Sequence, residues 1–174
     1  YTPGSYSFRL GDAHANDAGH GGGETIKYRF TVTPNNCNFT YHYAVVLKDG
    51  GHSNGQQPYF KIGMLDGNNN PIDCATYDVD ATTAQTIGGF VSVGPLLYKN
   101  WTTVFIPLNN YIGQTVSIQF TTRDCAPNGC EGSHYAYAYI DADCNTLQIG
   151  ATSPTICNGQ TVVLTAPDGA ASYS

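Results

Sequence analysis

No stretch of this chain repeats an apolar residue every 3.6 positions for three turns, which closes off any fold built on amphipathic helices. Short alternating runs take their place, each ended by Gly, Pro, Asn or Asp. The alternation predicts strands over 6–10, 25–33, 39–47, 101–108, 116–122 and 135–140. Ile26, Tyr28, Phe30 and Val32 fall on one face of the second run. Residues 59–65 and 72–79 should pair across the turn Asp66-Gly67-Asn68-Asn69-Asn70. With no helix for parallel crossovers, the fold class is all-β: an antiparallel, jelly-roll-like sandwich. The composition changes after Asp143-Cys144-Asn145. The expected domains are therefore a sandwich over 1–145 and, over 146–174, the start of a second, incomplete β module with one turn and one strand.

The formal charge is −6, and the seven basic residues are scattered along the sequence. Phosphate binding needs them clustered, so nucleic acid is not an expected partner. No apolar run approaches the roughly 20 residues of a membrane-spanning helix, and no membrane insertion is expected. Six cysteines without metal-knuckle spacing point to an oxidising compartment. The start at Tyr1, without Met or a leader-like apolar segment, suggests a mature or internal fragment.

Several local patterns resemble chemical motifs and fail on inspection. His20-Gly21-Gly22-Gly23 copies an oxyanion-hole string, but no G-x-S-x-G elbow accompanies it. Asp66-Gly67-Asn68-Asn69-Asn70 opens like an EF-hand loop, yet Pro71 stands where Gly is required and Tyr77 where a bidentate Glu belongs. The five histidines lack zinc-site spacing. His52 and His134 each follow a glycine-bearing turn, and either tie loops together or line a cleft. Cys125 and Cys130 enclose Ala-Pro-Asn-Gly, a tight reversal suited to a local disulfide. The sequons at Asn38 and Asn100 are formal matches only. No nucleophile–base pair can be assembled locally, so an enzyme is not expected.

The sharpest pattern is Tyr135-Ala136-Tyr137-Ala138-Tyr139, which puts three tyrosines on one sheet face and two alanines on the other. The simpler reading makes the tyrosines the core face, with hydroxyls bonded at its edge. The other leaves Tyr135 and Tyr137 exposed, able to stack on sugar rings. Tyr41 and Tyr43 repeat the question on another strand.

Two resemblances add context. The string Ile156-Cys157-Asn158-Gly159-Gln160-Thr161-Val162-Val163-Leu164-Thr165-Ala166 resembles bacterial Ig-like or PKD-like repeats of Bacteroidetes surface proteins. In such repeats a cysteine at the place of Cys157 pairs with one near the repeat's end. The first part resembles a domain of large secreted proteins from gliding Bacteroidetes. It does so through Ser7-Phe8-Arg9-Leu10-Gly11-Asp12, Gln57-Pro58-Tyr59-Phe60 and Trp101-Thr102-Thr103-Val104, and through Tyr137-Ala138-Tyr139-Ile140-Asp141. The pattern from Trp101 to Asp141 is also similar to galactose-binding-like jelly rolls. These resemblances imply type IX secretion, a bacterial cell-surface location and a gliding-type adhesin.

Galactose-binding-like jelly rolls often hold a structural Ca²⁺ between the end of the first strand and the last strand. Asp12 with Asp141 or Asp143 would supply it here, with Asp49 and Asp124 as further candidates. The expected partners are a surface or glycan ligand, further modules of the same chain and the type IX machinery during export. A carbohydrate-binding module of a secreted polysaccharide-degrading enzyme is one alternative, and an architectural spacer is another.

Overall fold

A computed structural model describes residues 6–13, 22–53, 55–72, 76–125, 134–144, 150–151 and 164–165. Among these residues, eleven strands follow in order. The main ones are β1 (Phe8–Leu10), β2 (Gly23–Thr31), β3 (Asn38–Lys48), β4 (Tyr59–Leu65) and β5 (Tyr77–Asp80). They continue with β6 (Phe90–Val93), β7 (Leu96–Pro107), β8 (Thr115–Arg123) and β9 (Ala136–Cys144). Two short strands, β10 (Gly150–Ala151) and β11 (Leu164–Thr165), pair with each other.

The nine main strands form two antiparallel sheets packed as a sandwich, one in the order β1-β9-β3-β7-β6 and the other β2-β8-β4-β5. The chain passes repeatedly from one sheet to the other, as expected for a jelly-roll-like arrangement. The hairpin across Asp66–Asn70 forms through the Leu65–Pro71 bridge and the β4–β5 ladder. Pattern reading missed β6. Its partner β7 begins at Leu96, five residues before the run expected from Trp101. Gly94 (φ 59°) makes the reversal between them.

β3 alternates without a break, with Phe39, Tyr41, Tyr43, Val45 and Leu47 inward and the intervening residues half-buried outside. Burying this face against Phe60, Ile62, Met64, Val116, Ile118 and Phe120 of the other sheet makes the core. Aromatic rings run in sequence through it, from Phe30 to Phe39 (5.6 Å between centroids) and Tyr41 (6.1 Å). From Tyr41 they reach Tyr43 and Phe120, and from Tyr43 they reach Phe60. Tyr41 and Tyr43 are thus core residues, and burial pushes both hydroxyl pKa values well above the ordinary tyrosine range. A register shift between Tyr43 and Val45 leaves Asn100 and Trp101 of β7 opposite Ala44, a β-bulge.

On β9 the simpler expectation fails. Ala136, Ala138 and Ile140 face the core, while Tyr135, Tyr137 and Tyr139 stand on the outer face. The reason is the packing on either side: Ala138 is opposite the core-facing Val45 on β3 and Leu10 on β1, where a tyrosine-sized group has no room.

Candidate functional site

The outer face of the five-stranded sheet is the most developed candidate. Strand register sets Val91 of β6, Tyr98 of β7, Val46 of β3 and Tyr137 of β9 side by side, one apolar row across four strands. Tyr135 stacks on Tyr137 at 6.0 Å, and Tyr139 turns its ring 89° to Tyr137 at 6.2 Å. The Lys48 ammonium lies over the Tyr135 ring at 5.6 Å. Val91, Val93, Tyr98 and Tyr139 are each more than a third exposed. Tyr135 and Tyr137 were named from sequence; Val91 and Tyr98 were not, because β6 carries no strong strand signal.

The loop-bearing end of the sandwich gathers a second constellation. His52 and His134, 82 residues apart, meet with Nε2 and Nδ1 at 3.1 Å, one ring N–H donating to the other ring. Both rings pack on Gly50, whose lack of a Cβ makes the room. Asp49 Oδ1 accepts from the Gly51 amide (2.8 Å) and from Gln57 Nε2 (2.6 Å), and its Oδ2 accepts from Gln85 Nε2 (2.8 Å). Buried Gln57 also donates to the His52 carbonyl and accepts from the Gly50 amide. Gln57 opened one of the strings that carry the resemblance but was given no role there, and Gln85 was marked by no sequence signal.

His52, His134 and Cys125 bring three ligand atoms within 4.8 Å of one another. The donor set nevertheless reads as a loop clasp. The Cys125 sulfur is disulfide-bonded, and the two imidazoles already spend a nitrogen each on their mutual bond. No bridge joins two described cysteines, and Cys130, the expected partner of Cys125, lies outside the described residues. So do Cys74, Cys157, His14, His20 and the Asp143 and Cys144 side chains. Cys37 is a buried free thiol.

Burial, the neighbouring His52 and Lys48 together hold the His134 imidazole below its ordinary pKa, against a smaller opposing pull from Asp49. Its folded-state pKa is thus below the unfolded value of about 6.5, and the unfolded chain takes up the proton first. Stability should fall as pH drops through about 6.5 and level off below the folded pKa. His134→Gln should flatten that slope, which melting curves between pH 5 and 8 would measure; an unchanged slope would assign it elsewhere.

Of the five carboxylates proposed for calcium, the Asp143 side chain lies outside the described residues, Asp12 comes near Asp124, and Asp49 and Asp141 stand apart from them. β1 runs antiparallel to β9 with Leu10 opposite Ala138 and Phe8 opposite Ile140. Asp12 therefore sits near the beginning of β9, while Asp141 lies one residue beyond the Phe8 pair, at the other end. Asp141 lies across from His42. Asp49 belongs to the Gln57 clasp. Asp124 accepts from the Ala136 amide (3.1 Å) and the Gly22 amide (3.0 Å), stapling β8 to β9 and to the approach of β2. Its carboxyl is held above the usual range by burial first, with Asp12 and Glu24 adding to the rise. Asp66 accepts from the Asn68 and Asn70 amides and from Asn70 Nδ2, an Asx-type turn that lowers its pKa.

A third hollow, about 740 Å³, opens where β1 and β2 leave the side of the sandwich unclosed, with Tyr6, Phe8 and Tyr28 exposed at its rim. Neither a protein-family model nor a curated protein sequence matches the chain.

Proposed function

We propose that the chain is a non-catalytic binding module of a large extracellular surface protein, exported by the type IX route. It adheres to a surface or glycan through the outer face of its five-stranded sheet. The observation that carries this reading is the Val91–Tyr98–Val46–Tyr137 row, flanked by Tyr135 and Tyr139. Apolar side chains aligned across four strands, with Val91, Tyr98 and Tyr139 each more than a third exposed, are the usual composition of a contact surface. Tyrosine suits such a face, since its ring is apolar and its hydroxyl stays wet. The same openness weighs against a spacer, which needs no uncovered aromatic face.

Replacing Tyr137 and Tyr139 by Ala should lower binding to immobilised neutral polysaccharide or cell surfaces at least ten-fold without changing the melting temperature by more than a few degrees. Undiminished adhesion in that double variant would sink the reading. A glycan array separates the rival: binding confined to one defined polymer favours a carbohydrate-binding module of a degradative enzyme.

A further inference from the structure

The basic residues that look scattered in the sequence converge in the fold. On β8, Val116, Ile118, Phe120 and Thr122 face the core, so Ser117, Gln119, Thr121 and Arg123 face outward from the four-stranded sheet. Register places Lys27 beside Gln119, Arg29 beside Ser117, and Lys61 beside Thr121. Four of the chain's seven basic residues thus share one outer face of a protein whose formal charge is −6. The acidic groups on that face stand on β5: Asp78 pairs with Lys61 at 2.6 Å, and Asp80 accepts from the Thr83 amide and hydroxyl. β2 and β8 present Lys27, Arg29 and Arg123 there without a carboxylate. Among the described residues, these three make no ion pair.

The face is also hollowed. Gly63 of β4 leaves open space where a side chain would stand, with nothing within 4 Å of its Cβ position. Around it lies a trough of about 180 Å³, bounded by Lys27, Lys61 and the apolar Leu65 and floored by Ser117, Gln119 and Thr121. Lys27 and Ser117 are shared with a larger hollow, about 480 Å³, that continues past Arg29 to the Asp66–Asn69 turn. Asp66 lines that far end, its carboxylate occupied by its own turn. From Thr115 to Thr121 the floor runs roughly 20 Å at 3.3 Å per residue.

We infer that this trough is a binding site for an acidic polysaccharide. Cations spaced along an extended hollow meet carboxylate or sulfate groups spaced along a polymer. The hydroxyl and amide floor supplies hydrogen bonds to sugar hydroxyls between them. Single-stranded nucleic acid fits less well, because it wants aromatic platforms along the groove, and the trough lining has none. Arg29 offers a planar fork to a carboxylate or sulfate and Lys27 acts as a point charge, while Lys61 at the rim is already paired with Asp78. The site is separate from the tyrosine face and does not depend on it.

The test is affinity electrophoresis and titration with polygalacturonate, dextran sulfate, neutral dextran and single-stranded DNA. The protein should bind a carboxylated or a sulfated polymer, the preferred arm identifying the anion, with affinity that falls as salt rises, and should ignore neutral dextran. Lys27→Ala with Arg29→Ala should weaken binding at least ten-fold. Gly63→Glu, at an open position with ordinary backbone geometry, should do the same by placing a carboxylate on the floor. Tyr137→Ala should leave this binding unchanged, which separates it from the tyrosine-face reading. The inference is overturned if neither acidic polymer binds, if the Lys27/Arg29 and Gly63 variants bind like the parent, or if DNA binds equally well.

Discussion

Gly11→Ala should destabilise the domain by about 3 kcal/mol and lower its melting temperature by roughly 10 °C. Gly11 ends β1 at φ +72°, the left-handed region that an L side chain occupies only at a cost of about 1–2 kcal/mol. Space is the larger obstacle. A Cβ there would strike the Ala136 carbonyl oxygen, which is backbone of the adjacent strand and cannot swing aside, and would crowd Thr122 Oγ1 at 3.0 Å. The Gly11 amide donates to Glu24 Oε2 at 2.8 Å, so displacement also loosens the tie between the sheets. Gly113 is the control: its φ is +85°, but its Cβ position is open, so Gly113→Ala should cost only about 1–2 kcal/mol. Chemical denaturation of both variants decides the matter, and equal costs would remove the steric argument.

Phe39→Ala should cost about 3–5 kcal/mol, the range for truncating a fully buried aromatic. Phe39 is 1% exposed, lies between the Phe30 and Tyr41 rings, and pairs with Ile106 across the β3–β7 ladder. It also lines the hollow on the unclosed side of the sandwich, so truncation would enlarge that hollow and let water reach the core. Phe39→Leu should recover much of the loss, because volume is partly kept. A cost below about 1.5 kcal/mol for the alanine variant would mean that the aromatic line is not the spine of the core.

The strand content and sandwich class were legible because period-2 alternation survives wherever one face is buried, as in β3 and β8. β6 escaped notice because Phe90-Val91-Ser92-Val93 is a solvent-facing edge strand whose outward valines break the polar alternation. The tyrosine row illustrates a different limit. Alternation shows that two faces exist, but only the volume available between Val45 and Leu10 decides which set turns inward. Asp12 and Asp141 part for a topological reason, since an antiparallel partner brings the end of β1 to the beginning of β9. The basic trough left a faint trace. Thr25, Lys27 and Arg29 alternate with Ile26, Tyr28 and Phe30, but their meeting with Lys61 needs strand order, which no local pattern holds.

The three-pair ladder between β1 and β9 has a mechanical consequence when the chain is under tension. Because the two strands are antiparallel neighbours, the chain entering at Phe8 and the chain leaving after Cys144 emerge at the same end of the sheet. Tension along the polypeptide would load the Phe8–Ile140 pair first, then Arg9–Tyr139, then Leu10–Ala138, opening them one at a time rather than all together in shear. Such a strand peels at low force. It would give the linkage a short, reversible extension before the β2–β8 and β3–β9 ladders bear any load.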